Sequence, residues 1–148
     1  MHGERTMSAS FWFRLGAIWG FLAVAMGAFG AHGLKERFQS VGSLSGGLSA
    51  ERLEHDFQVA AQYHMYCALA LLAVGAVAAF GRPGTTTAVA GWSLFLGSVV
   101  FSGTLYVLAV TGIRWLGAIT PLGGLLMMVG WLALAVAAGA QNTQATAP

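Results

Sequence analysis

The amino-acid sequence predicts an all-α protein, a polytopic transmembrane antiparallel four-helix bundle, and three observations carry that prediction. The first is composition: 8% of the 148 residues are charged, 57% are hydrophobic, and the mean hydropathy is +0.71. A soluble domain carries about 25% charged residues, so seven basic and five acidic side chains are too few to cover a water-facing surface. The second is where those charges fall: positions 4, 5, 14, 35, 36, 37, 51, 52, 54, 56, 82 and 114. They leave four uncharged windows, 15–34, 57–81, 83–113 and 115–148. A helix rises about 1.5 Å per residue, so roughly 20 apolar residues cross a hydrocarbon core of about 30 Å. Each window holds one span and none holds two. The third is continuity: the apolar runs do not alternate as strands of a membrane barrel would. The same composition excludes a disordered chain.

Residues 1–13 read as an N-terminal tail and 14–139 as a single domain with spans near 14–33, 58–80, 87–109 and 115–138; 140–148 form a C-terminal tail. The first span, Arg14–Gly33, carries Gly16, Gly20, Ala23, Gly27 and Gly30 at spacings of four and three. In lipid, helices associate through small residues that let backbones approach. This heptad seam predicts a left-handed crossing near +20°, and Leu at Gly20 or Gly27 is expected to break it. Trp12, Trp19, Phe21, Leu22 and Phe29 fall largely off the seam, toward lipid or other helices. A cleaved signal peptide is the competing account, with Arg5 and Arg14 as its basic region and Gly27–Ala31 as its cleavage zone. The 20-residue run exceeds the usual h-region of about 7–15 residues, which favours the span.

Lys35–Phe57 is the only long connection, and Ser40–Gly47 within it has a flexible-linker composition. Ser49 then reads as an N-cap, with Glu51 and Glu54 suited to the helix dipole. The second helix is expected to start near Ala50 and to extend about two turns outside the bilayer. Its Leu53, Phe57 and Ala60 share a face that should pack on Leu34–Phe38. Gly81-Arg82-Pro83-Gly84 signals a tight turn, and Thr111–Arg114 closes the third helix and turns into the fourth. Short connections make helices two, three and four antiparallel neighbours. In the fourth, Thr120-Pro121 marks either the true helix start or a kink in a helix begun at Trp115. Pro121, Gly123 and Gly124 belong to its packing face. The polar tail Gln141–Pro148 is expected to be loose.

The side shared by the two termini and the second connection holds Arg5, Arg14 and Arg82; the other holds Lys35, Arg37, Arg52 and Arg114. Three against four leaves the positive-inside rule undecided. Glu36, Glu51, Glu54 and Asp56 on the second side lean the reading to both ends inside.

Polar side chains at membrane depth are functional hypotheses by default. His32, Gln62, Tyr63, His64 and Tyr66 form the candidate polar membrane site. His64 and Cys67 share one helix face, while Gln62 and Tyr66 share another. Three readings stand for the group: interfacial anchoring with interhelix hydrogen bonds, a proton- or solute-conducting site titrated by His, and a metal or haem site using His32 and His64. Zinc-ligand spacing, a Ser-His-Asp set, a phosphate loop and a paired-Cys motif are all missing. The sequence therefore implies no catalytic residues, no cofactor, no metal and no nucleic-acid partner. The expected partners are the lipid bilayer and either a second copy of the chain or another membrane protein.

Three segments together carry a resemblance. Met26-Gly27-Ala28-Phe29-Gly30-Ala31-His32-Gly33-Leu34, Gln62-Tyr63-His64-Met65-Tyr66, and Phe101-Ser102-Gly103-Thr104-Leu105-Tyr106 with Thr120-Pro121-Leu122-Gly123-Gly124 resemble the YgdD-like domain-of-unknown-function family. These are small bacterial four-helix membrane proteins, with an animal relative, transmembrane protein 256. The resemblance runs from about Leu15 to Ala138, implies a four-helix membrane protein and implies no reaction. His32 matches the family pattern, which makes it the leading functional candidate. Cys67 stands where the family has a His, and His64 where a Gln is more usual. The expected role is that of a non-catalytic accessory or scaffold protein. The alternatives are a small transporter or channel component for protons or a small solute, and a cofactor-binding redox membrane subunit.

Overall fold

The computed structural model describes residues 2–44, 47–81 and 84–145, with side chains described from 9 to 139 within that range. The described chain forms five helices: α1 His2–Gly33, α2 Lys35–Leu44, α3 Ala50–Phe80, α4 Thr85–Thr111 and α5 Leu116–Ala145. Four are long and apolar enough to cross a membrane, over Ala9–Gly33, Ala50–Phe80, Thr85–Thr111 and Leu116–Gly139. They correspond one to one with the four uncharged windows. The protein is an all-α, multi-pass membrane bundle.

Two boundaries differ from expectation. The first helix begins at His2 rather than Arg14. Two aromatic residues of the added stretch are structural: Trp12 is buried with its indole over Gly91 of α4, 5.6 Å from Trp92, and Phe13 covers Gly75 of α3. Those contacts extend a helix that propagates cheaply once nucleated. At the other end, α5 continues to Ala145, so the loose tail is helical over 141–145; 146–148 lie outside the described residues, as do Arg82 and Pro83 of the predicted turn.

The stretch expected as a flexible linker folds as α2 up to Leu44, with Ser45 and Gly46 outside the described residues. Phe38 and Val41, three residues apart, are buried with Leu48, Leu53, Phe57, Leu108 and Ala109 in a core at one end of the bundle. Gly42 is there for contact: a Cβ on it would lie 2.9 Å from the Ala50 backbone nitrogen. Burial of one apolar face overrides a composition that reads as linker. The Arg37 Nε adds a donor to the Val110 carbonyl, 3.0 Å away, in the last turn of α4.

Ser49 caps α3 as expected, its hydroxyl accepting from the Arg52 N–H at 3.2 Å. Leu53, Phe57 and Ala60 are all buried, and Phe57 lies 5.8 Å from the Phe38 ring, the predicted packing. Gly112 ends α4 at φ 74°, the left-handed conformation that favours glycine. The fourth membrane helix starts at Leu116, which places Pro121 inside it rather than at its start. Thr104 and Thr120 hydrogen-bond across α4 and α5 at 2.9 Å, beside the proline.

Small residues set the helix pairing. Along α1, a Cβ at Gly16 would meet Ala68 O at 3.0 Å, and one at Gly30 would enter the Phe57 ring. Gly20 and Gly27 face the Ala68 and Ala61 methyls at 3.6 and 3.9 Å, ordinary contact distances. The seam thus runs along α3, and its close approaches are at its two ends rather than at the Gly20 and Gly27 positions. The tightest pairing is α4 with α5, where a Cβ at Gly97 would lie 2.9 Å from Gly123 O. Helices α3 and α4 also pack together, whereas α1 and α4 do not pack backbone to backbone. Aromatic side chains bridge that last gap.

Candidate functional site: a pocket between three spans

The bridged gap between α1 and α4 holds the site. Its back wall is α3, which contributes His64. From α1 come Trp19, Leu22 and Met26, on successive turns of one face. From α4 come Ser98, Ser102 and Tyr106, spaced by four, with Val99 and Gly103 beside them. These side chains line an open cleft of about 260 Å³. Trp19 and Ser98 lie near the middles of their spans, so the pocket sits at membrane depth.

Its polar atoms fall into two groups. The first is committed: Trp19 Nε1 donates to Ser98 Oγ at 3.0 Å, and His64 Nδ1 lies 3.4 Å from the Tyr106 hydroxyl. The Trp19 indole makes tilted ring contacts with the imidazole, centroids 4.5 Å apart, and with Phe95 at 4.8 Å. The second group has no partner. His64 Nε2 and Ser102 Oγ are both buried without a hydrogen bond, and their residues are 5% and 2% exposed. An unpaired polar group in a buried setting costs about 1–3 kcal/mol, with no bulk water at membrane depth to relieve it. Both residues line the cavity, whose accessible surface is otherwise almost wholly apolar.

Of the five candidate residues read from sequence, the pocket takes one. His64 is part of its lining. Gln62, Tyr63 and Tyr66 lie on the exposed side of α3, where the Gln62 amide donates to Tyr66 OH at 2.7 Å and Tyr63 packs on Phe101 at 4.8 Å. His32 is exposed at the end of α1 and does not line the pocket. Cys67, one turn beyond His64, is buried and donates to Met127 Sδ at 3.2 Å. Sequence reasoning passed over Trp19, Ser98, Ser102 and Tyr106. The signal was present: Ser98, Ser102 and Tyr106 recur every four residues along α4, a polar stripe on one face.

The fold and pocket define a four-span membrane protein with an open cavity between three of its helices. The model of a family described as "Protein of unknown function (DUF423)" matches residues 26–124, which include α2, α3, α4 and the start of α5. A UPF0382 membrane protein of Staphylococcus saprophyticus is 46% identical over 122 residues, covering 82% of this chain and 91% of that protein. The UPF0382 membrane protein YwdK of Bacillus subtilis is 45% identical over 126 residues, 84% of this chain and 92% of its own. A Staphylococcus epidermidis UPF0382 membrane protein is 42% identical over 123 residues, 83% and 90% respectively. The chain belongs to this family of membrane proteins. No solved structure matches it at a significant level.

Proposed function

We propose that the protein is a non-catalytic accessory protein of the plasma membrane, with both ends inside, that binds a small hydrogen-bonding molecule in the pocket between α1, α3 and α4. The observation that carries this reading is that one cavity is lined by both His64 and Ser102, whose Nε2 and Oγ are buried without a hydrogen-bond partner. An accessory role calls for a membrane-protein partner or a second copy of the chain. The Gly-lined faces are taken up within the bundle, which leaves such a partner the large apolar side chains outside, among them Trp92, Leu132 and Val136. The proposal also places the YgdD-like proteins, with their animal relative, in the same group.

Gly103 supplies the test. It lines the cavity, and a Cβ on it would meet no atom within 4 Å. Gly103→Leu therefore fills the cavity without displacing backbone. Solvent extracts of the detergent-purified wild type should contain one small molecule in near-equimolar amount, and extracts of Gly103→Leu protein with unchanged unfolding should lack it. Identical extracts would leave the pocket holding only water and overturn the reading.

A titratable group at membrane depth favours a second reading, passage of a proton or small solute past His64. Proteoliposomes should then show flux that falls at least tenfold in His64→Ala. Flux unchanged in both His64→Ala and His32→Ala removes these residues as carriers.

A further inference from the structure

We infer that the groove between α3 and α5 is a binding site for one membrane phospholipid, which lays an acyl chain along α5 and offers its ester carbonyl to the Tyr66 hydroxyl. The site is separate from the pocket between α1, α3 and α4, and the inference stands without it.

The groove follows from how the helices pair. Helix α4 packs along both α3 and α5, while α3 and α5 touch each other only sparsely. They leave a cleft of about 620 Å³, within the range of about 300–1,000 Å³ for ligand sites. Its floor is Phe101 of α4 with the buried Cys67 and Met127. Its rims are Tyr63, Tyr66 and Leu69 of α3 and Leu125, Met128 and Trp131 of α5, each between 41% and 61% exposed. All of them lie within the two spans, so the exposed rims face hydrocarbon.

The occupant follows from the shape of this groove. In lipid, helices draw together through small residues that let backbones touch. The rims here are large side chains, which hold a partner's backbone away and leave a trough that a hydrocarbon chain enters. From Pro121 to Trp131 the lining follows α5 for about 15 Å, at about 1.5 Å per residue. That is the hydrocarbon depth of one leaflet in a core of about 30 Å.

The head end follows from Tyr66. Helix α3 enters the membrane from the side of α2, so Gln62 lies nearer that side than Tyr66 does. The 2.7 Å bond from the Gln62 amide holds the Tyr66 hydroxyl toward it. Having accepted there, the hydroxyl keeps its own proton to donate, in the kind of position that Tyr favours where chains meet headgroups. A lipid ester carbonyl is an acceptor at the head of a hydrocarbon chain, and it meets that donor.

The class of lipid follows from charge. Among the described residues the lining includes no Asp, Glu, Lys or Arg. The carboxylate of a free fatty acid would have no counter-charge there, whereas an ester is neutral. The chain belongs to an esterified lipid of the leaflet on the α2 side.

The test uses the full chain reconstituted in dioleoylphosphatidylcholine vesicles that contain a phosphatidylcholine with a diazirine on one acyl chain. Light-induced adducts are mapped by peptide mass spectrometry. Phe21 and Val24 of α1 are the reference, being 72% and 61% exposed and as far from the α2-side end of their helix as Met128 and Leu125 are from theirs. Adducts on Leu125 and Met128 should exceed those on the reference pair by about tenfold or more. Gly124 lines the groove, and a Cβ on it would lie 3.9 Å from the Phe101 ring, so Gly124→Leu fills the trough and should remove the excess. Gly103→Leu, in the other pocket, should leave it unchanged. Tyr66→Phe should cut it about fivefold, as loss of one hydrogen bond of about 1 kcal/mol implies, and carries the test if the leucine variant does not fold. A diazirine lipid with ether-linked chains should label the wild type as weakly as the ester lipid labels Tyr66→Phe. Equal labelling of α5 and α1, or an excess that survives in folded Gly124→Leu protein, overturns the site. Equal labelling by ester and ether lipids overturns the carbonyl contact and the inference with it. Crosslinks between two chains in the groove, in place of lipid adducts, would show a second copy there and overturn it as well.

Discussion

Gly123→Ala is expected to destabilise the bundle by about 3 kcal/mol, the upper end of the range for overpacking a close-packed core. The reason is what the new methyl meets. A Cβ at Gly123 would lie 2.8 Å from Gly97 O and 2.8 Å from Phe101 Cα, and would press on the Phe101 amide nitrogen. These are all backbone atoms of α4, so no rotamer change can make room. The helices must move apart, and in lipid the packing lost is most of what held them, since hydrocarbon solvates their faces as well as a partner does. Gly124, the next residue, faces only the Phe101 ring at 3.9 Å and provides the control. Unfolding of both variants in mixed micelles checks the prediction. Gly124→Ala should match the wild type, and a Gly123→Ala protein within about 0.5 kcal/mol of it would refute the account of the α4–α5 contact.

The second large effect belongs to the other core. Phe57 is 2% exposed, covers Gly30, and lies 5.8 Å from Phe38 and 4.7 Å from Tyr106. It joins α1, α2, α3 and α4 at the end of the bundle where the charged residues gather. Phe57→Ala should cost about 3–5 kcal/mol through the cavity it leaves. The loss should fall first on α2, whose hold on the bundle is Phe38, Val41 and the Arg37 bond to Val110 O. Amide exchange is the measurement. Protection across Lys35–Leu44 should drop about a hundredfold or more, at roughly 1.4 kcal/mol per factor of ten. The α4–α5 amides around Leu94 and Met127 should stay protected, because those contacts lie in the other core. Unchanged exchange in α2 would show that Phe57 is not what docks it.

How much could be read from residues alone differs between elements. The spans were legible because twelve charges leave four gaps of the right length, and the cap at Ser49 because its side chain acts within one turn. Helix α2 was not legible. Ser40-Val41-Gly42-Ser43 has the composition of a linker, and only the core that receives Phe38 and Val41 makes it a helix. The pocket was half legible. His64 was picked out as a polar residue in an apolar run, but grouped with Gln62, Tyr63 and Tyr66, which the helix turns to the opposite side. The stripe Ser98, Ser102, Tyr106 carried the missing half of the site in its four-residue spacing.

By itself, then, the order of residues determined that this protein is a helical, multi-pass membrane protein with breaks at its charged links. Tertiary structure alone decided that His64 rather than His32 lies in a cavity, that Ser98 and Trp19 meet, and that α1 and α4 are bridged by side chains. The difference is one of range. The cost of taking an ion or a bare peptide group out of water is paid residue by residue, so it is written locally along the chain. Which side of a uniformly apolar helix faces a neighbour carries almost no transfer energy in lipid, and is settled by where small residues such as Gly16, Gly97 and Gly123 let two backbones touch.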